Sequence, residues 1–309
     1  MTTASARALL AGLIDYAGLF PPAALSMDAA VAEYARWRRS PEAFMLGRFV
    51  VPAARLVELG AAAEAQLPAA GTGDPWRLSA LLGGDAYGDA ARVDAWNASH
   101  AGRAVVDAVE LKAATPAEAD AALAALAPGL VAFVEVPLDE NLDGLLATLE
   151  RRGARAKIRT GGVVPEAIPD PGDVARFIAA CAAARLPWKA TAGLHHPLRG
   201  ERDLTYEPAS PRAVMHGFLN VFAAAAFARG GASLADLEGV LREQDPKAFH
   251  FDDEGLAWRQ LRLATRELET ARRDFASSFG SCSFAEPVAD LQSLGVLALE
   301  SQEAHRGVR

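Results

Sequence analysis

The 309-residue chain holds four lysines against 27 arginines. Three of the four, Lys112, Lys157 and Lys189, stand inside short apolar runs: "AVELKA", "AKIRT" and "WKATAG". A surface cation in this chain is normally Arg, so a Lys inside such a run needs a reason of its own. Amine chemistry is one. An amine attacks a carbonyl only after losing its proton, and a second cation nearby or a desolvated site lowers its pKa. Glu110, in the first run, and Glu135, in "FVEVP", are carboxylates able to move protons beside such an amine. Arg159 and Arg48 present the planar fork that binds a carboxylate or phosphate through two parallel hydrogen bonds.

These residues need elements that bring them together. Short apolar runs alternate with amphipathic helices along the chain. Strands are expected at "GLIDYAGL", "FMLGRFVV", "WRLSALLG", "VVDAVELKA", "LVAFVEVP", "ARAKIRTGG" and "PWKATAG", with an eighth at "KAFHFD" (247–252). Helix signals sit between them. Ser26 caps "MDAAVAEYARWRR", and Thr115-Pro116 with Glu118 reads as a capping box with proline at the first helical position. Ser210-Pro211 starts a helix through "AVMHGFLNVFAAAAFARGG", and "GLAWRQLRLATRELETARRDFASSF" reads as one long helix. Eight strands with intervening helices predict an α/β fold, a (β/α)8 TIM barrel over residues 1–309, with 256–309 as a helical C-terminal extension. A doubly wound open sheet is the alternative. No GxGxxG follows the first strand, and no GxxxxGK[ST] occurs.

Side chains alternate across a strand, so one set faces the helices and the other the barrel interior. Val109, Leu111 and Ile158 suit the helix side. That sends Glu110, Lys112, Glu135, Lys157, Arg159, Lys189 and Thr191 inward, with Asp15 and Arg48. Five cations against three carboxylates make a net positive interior, and buried charges need partners or a ligand. Active sites of such barrels lie at the C-terminal strand ends, so a pocket for a small anion is expected there. Thr160, Gly161 and Gly162 end the sixth strand and Gly193 the seventh, where turns can offer backbone N–H groups to a phosphate. His195 and His196, in "GLHHPLRG", follow directly, and at least one should reach the pocket mouth as a proton carrier.

A lysine on a strand running into "TGG", then a lysine in "KATAG" on the next strand, resembles the (β/α)8 class I aldolases of the deoxyribose-phosphate aldolase type. In that family the sixth strand carries the Schiff-base lysine directly before a threonine, and the seventh carries a second lysine in a Lys-small-small-Gly context. Here Arg159 stands before Thr160, and Lys157 lies two positions earlier on the same face. The resemblance covers two strands. It implies a cofactor-free lyase in which Lys189, in the family-like context, forms the imine and Lys157 lowers its pKa.

Composition bounds the rest. An apolar fraction of 51%, a charged fraction of 23% and a formal charge of −8 fit a globular protein and speak against broad binding to nucleic acid or anionic membrane. No secretory signal or membrane-spanning run is expected. Cys181 and Cys282 form no CxxC or Cys/His metal spacing, which suits a reduced, cytoplasmic setting. Cys282 is expected in a tail packing over the barrel. Three functions compete: the cofactor-free lyase acting on a small anionic carbonyl compound, a divalent-metal lyase, isomerase or hydrolase, and a non-catalytic anion-binding barrel. The metal reading would draw its ligands from Glu110, Glu135, Asp15 and His195 or His196. The sequence leaves the oligomeric state open, a homo-oligomer included.

Overall fold

The computed structural model describes residues 1–298. Eight parallel strands close into a barrel, numbered here β1 (Ile14–Tyr16), β2 (Leu46–Pro52), β3 (Trp76–Leu81), β4 (Ala104–Lys112), β5 (Val131–Glu135), β6 (Arg155–Arg159), β7 (Trp188–Thr191) and β8 (Ala276–Ser281). Each pairs with its neighbour in sequence, and β8 closes the ring against β1 through Asp15 opposite Gly280. The doubly wound sheet is thereby excluded. Helices cover the outside, and the main core lies between them and the outward strand residues. There Val109, Leu111, Val134 and Ile158 meet helix residues such as Leu145, Phe177 and Ile178, all buried.

Helix boundaries follow the local chemistry. Ser26 accepts from the Ala29 amide at the start of Met27–Trp37, and Thr115 accepts from the Glu118 amide with Pro116 at the first position. Gly153 ends Leu142–Arg152 at φ 66°, the left-handed cap that a side chain disfavours. No described helix is long and apolar enough to cross a membrane.

Two expected helices are replaced by strands. The run 255–279 is not one helix. Gly255–Trp258 and Leu261–Ala264 form a hairpin that turns at Arg259 (φ 51°), and a ten-residue helix, Thr265–Asp274, follows before β8. Residues 249–251 of the expected eighth strand pair antiparallel with that hairpin, outside the barrel. The expected helical extension at 256–309 is therefore corrected. It contains the eighth barrel strand and, after it, a helix at Ala285–Ser293; the tail past Leu299 lies outside the described residues. Beyond β7, Gly200–Asp203 and Arg212–Met215 form a second hairpin, and the helix that Ser210-Pro211 was expected to open begins at Phe218.

Candidate active site

At the barrel centre the inward positions of five strands form one chain of ion pairs. Lys157 and Lys189 stand directly opposite each other on β6 and β7. The Lys189 ammonium donates to Asp15 (2.5 Å) and to Glu110 (2.7 Å), and Lys157 donates to the other Glu110 oxygen at 3.0 Å. Ser79 on β3 donates to Glu110, and Ser278 on β8 donates to Asp15. Gly47 belongs to this arrangement as well: a Cβ there would come within 2.3 Å of the Asp15 carboxylate. Its absence lets the Arg48 amide donate to the same oxygen. Asp15, Glu110, Lys157 and Lys189 are each no more than 3% exposed, so all four charges must be compensated internally.

The chain of pairs then climbs to the strand ends. Lys157 Nζ lies 2.9 Å from Glu135 Oε2, an oxygen left without a hydrogen bond. The other Glu135 oxygen accepts from Arg159 at 3.0 Å and lies 3.5 Å from Lys112. Glu135, Arg159 and Lys112 line a cavity of about 390 Å³ together with Glu166, Val136 and Leu138. Burial pushes Glu110 up, but the two lysines and its hydrogen bonds outweigh it and hold the carboxyl well below the usual range. Glu135 is lowered in the same way, chiefly by Lys157, against its burial. For Lys189, burial pulls downward, and Asp15 and Glu110 more than reverse it, so its pKa is raised.

Several expectations need correction here. Lys189 does not meet Lys157 alone: Asp15 and Glu110 both accept from its ammonium. Two carboxylates hold it as an ammonium at the bottom of the network. Lys112 is not inside the barrel but at its rim, with a side chain 67% exposed. Arg48 is inward but belongs to the opposite end. Its guanidinium grips Asp107, early in β4, which Arg77 also binds. Asp107 therefore neutralises a cation that the sequence reading left unpaired. The buried centre is not positive: Asp15, Glu110 and Glu135 face two lysines, and the excess positive charge sits at the rim in Arg159 and Lys112.

The strand-end glycines are explained by packing. Cβ atoms on Gly161 or Gly193 would lie 2.8 or 2.7 Å from the other's Cα, and one on Gly162 would lie 2.7 Å from Ala167. The loops after β6 and β7 thus touch backbone to backbone. Thr160 is buried and spends its hydroxyl on the Ala192 carbonyl, while Thr191 occupies the inward side above Lys189, facing Gly280. His195 and His196 turn away from the lysines. They bind Glu286 and Asp290 respectively and line a separate cleft of about 360 Å³. The set offered for a metal, Asp15, Glu110 and Glu135 with a histidine, is thus not brought together, and no group of three or more His, Cys, Asp or Glu side chains among the described residues is arranged to hold one.

Sequence reading passed over Ser79, Ser278 and Asp107. Ser79 carried a signal, as a hydroxyl on the inward side of the apolar run "RLSAL".

Compared with known proteins, the chain matches no family model and no curated protein. The likeness to class I aldolases therefore extends, in what is shown, to the closed parallel barrel.

Proposed function

We propose that the chain is a carbon–carbon lyase of the aldolase kind, with Lys157 as its amine, acting on a small anionic carbonyl compound bound at the ends of β4, β5 and β6. The observation carrying this reading is Glu135. One carboxylate reaches the buried Lys157 with one oxygen and the cavity's two cations, Arg159 and Lys112, with the other. An entering carboxylate or phosphate competes for those two cations. Glu135, relieved of them, becomes a better base toward Lys157.

Glu135 then takes a proton from the ammonium, and the amine adds to the carbonyl carbon. The protonated Glu135 gives that proton to the departing hydroxyl, water leaves, and an imine remains. Cleavage of the adjacent carbon–carbon bond sends its electron pair into the imine. Glu135 accepts the hydroxyl proton of the aldehyde that departs and returns it to the enamine carbon, and water releases the second product. Lys189 keeps Glu110 anionic beneath this site, as a fixed counter-charge.

A second reading has an observation of its own. Asp15, Glu110, Lys157 and Lys189 satisfy one another inside a closed core, which suits a non-catalytic barrel that binds anions only at its rim. Turnover separates the two. Offered a panel of hydroxylated 2-oxo acids, the lyase cleaves at least one of them in the presence of EDTA. Lys157→Met abolishes cleavage, and Arg159→Ala raises KM by about tenfold or more, as loss of a charged hydrogen bond requires. Binding of the same acids without cleavage by any of them would establish the second reading.

A further inference from the structure

Beside the cleft that draws His195 and His196 away from the lysines stands Cys282, a buried side chain 5% exposed that touches two of the cleft's lining residues, His195 and Tyr206. Cys282 follows β8 directly, and His195 lies in the loop after β7; these strands are neighbours, with Thr191 opposite Gly280. The Cys282 sulfur is 3.9 Å from His195 Nε2, and His195 Nδ1 is 2.9 Å from Glu286 Oε2. Glu286 stands in the first turn of the helix Ala285–Ser293, which begins three residues after the cysteine. Nucleophile, base and orienting carboxylate thus follow one another in a line, and Tyr206 closes the far side with its hydroxyl 3.9 Å from the sulfur.

The assignment of the ring nitrogens follows from the partners. A proton on Nδ1 donates to Glu286, which leaves Nε2 facing the thiol as the base. Burial draws the His195 pKa down, but the sulfur and Glu286 outweigh it and raise it to about 9. His195, Tyr206 and Glu286 all line the 360 Å³ cleft, whose wall is completed by the hairpin 200–203/212–215 through Arg202, Asp203 and Met215. The other cysteine lacks every one of these features. Cys181 is fully buried on the helix Pro171–Ala183, and burial alone pushes its thiol up.

We propose that Cys282, His195 and Glu286 form a second reactive centre, in which Cys282 takes an acyl group from a small ester or thioester. The thiol proton passes to Nε2, and the sulfur forms a bond to the acyl carbon. The bond from that carbon to the alcohol or thiol leaving group breaks, and the leaving group departs with the proton from Nε2. Water, yielding a proton to Nε2, then attacks the S-acyl carbon, and the thiol and a carboxylic acid are recovered. Glu286 is a positioning residue, holding the tautomer and orientation of His195.

The test uses the full chain with p-nitrophenyl acetate. It should release a burst of one nitrophenolate per chain and leave an acetyl group on the peptide containing Cys282. Cys181→Ala retains the burst. Cys282→Ala loses it, and Cys282→Ser, which keeps the side-chain volume, does so with an unchanged melting temperature. His195→Gln slows acylation by about 10²-fold, the ordinary contribution of a general base. Glu286→Gln slows it without altering the ester concentration at half-saturation. Acetyl found only on lysine or tyrosine, a burst surviving in both Cys282 variants, or unimpaired acylation in His195→Gln would overturn the proposal.

Discussion

Lys189 shows how the partners of a residue decide what it can do. It lies 5.4 Å from the Phe133 ring centroid, contacts two carboxylates, and is 1% exposed. Two carboxylates within hydrogen-bond distance favour the ammonium more strongly than burial opposes it, so this lysine stabilises Asp15 and Glu110. Lys189→Met should therefore leave two buried carboxylates short of a cation. The expected cost is about 3–5 kcal/mol, read as a fall in the urea midpoint at neutral pH. The pH dependence has a definite sign. Glu110 has a depressed folded pKa, so its stabilisation is complete above the unfolded value of about 4.3 and is lost as pH falls through the folded one. Lys189 has a raised pKa, so its contribution is complete below about 10.4 and is lost as pH rises through its folded value. In Lys189→Met the acid limb should move to higher pH. An unchanged urea midpoint together with an unmoved acid limb would show that the network is not held by this lysine.

The elements were legible where burial demanded a pattern. β4, β5 and β6 place outward apolar residues beside inward charges, and their alternation identifies both the strands and the side each residue takes. The eighth strand, "ASSFGS", has no such pattern, and its neighbours explain why. Ser278 donates to Asp15, and Gly280 stands opposite Thr191. Small residues stand where the pattern needed bulk. The run 249–251 shows the converse: Phe249 and Phe251 flank an exposed His250 in a three-stranded sheet outside the barrel, where alternation is clear. The hairpin at Arg259 was hidden because its left-handed position is filled by an arginine instead of glycine or asparagine. Of the site, Glu110, Glu135, Lys157 and Lys189 could be placed by alternation alone. Arg48 could not, because alternation gives the side of the strand and not the end. Ending the chain at Asp274, just before β8, should abolish cooperative unfolding, since β1 and β7 would both be left as edges. A truncated chain with a native melting transition would contradict the closed barrel.

Across the whole molecule, an acidic chain of net charge −8 collects two exposed cations, Lys112 and Arg159, at one cavity mouth. Beneath that mouth the charges descend from Glu135 to Lys157, Glu110, Lys189 and Asp15, so under the proposed lyase reading the reactive depth is set by how far down a substrate carbonyl can reach. Lys157 is the first lysine on that path, and Lys189 lies one carboxylate further. The most direct test is reductive trapping. The protein is treated with sodium borohydride and a small 2-oxo acid, digested, and mapped by mass spectrometry, with and without EDTA. The account predicts one stable adduct, on Lys157, unaffected by the chelator and absent from Lys157→Met. An adduct on Lys189 instead, or none with any acid that the protein cleaves, would contradict it.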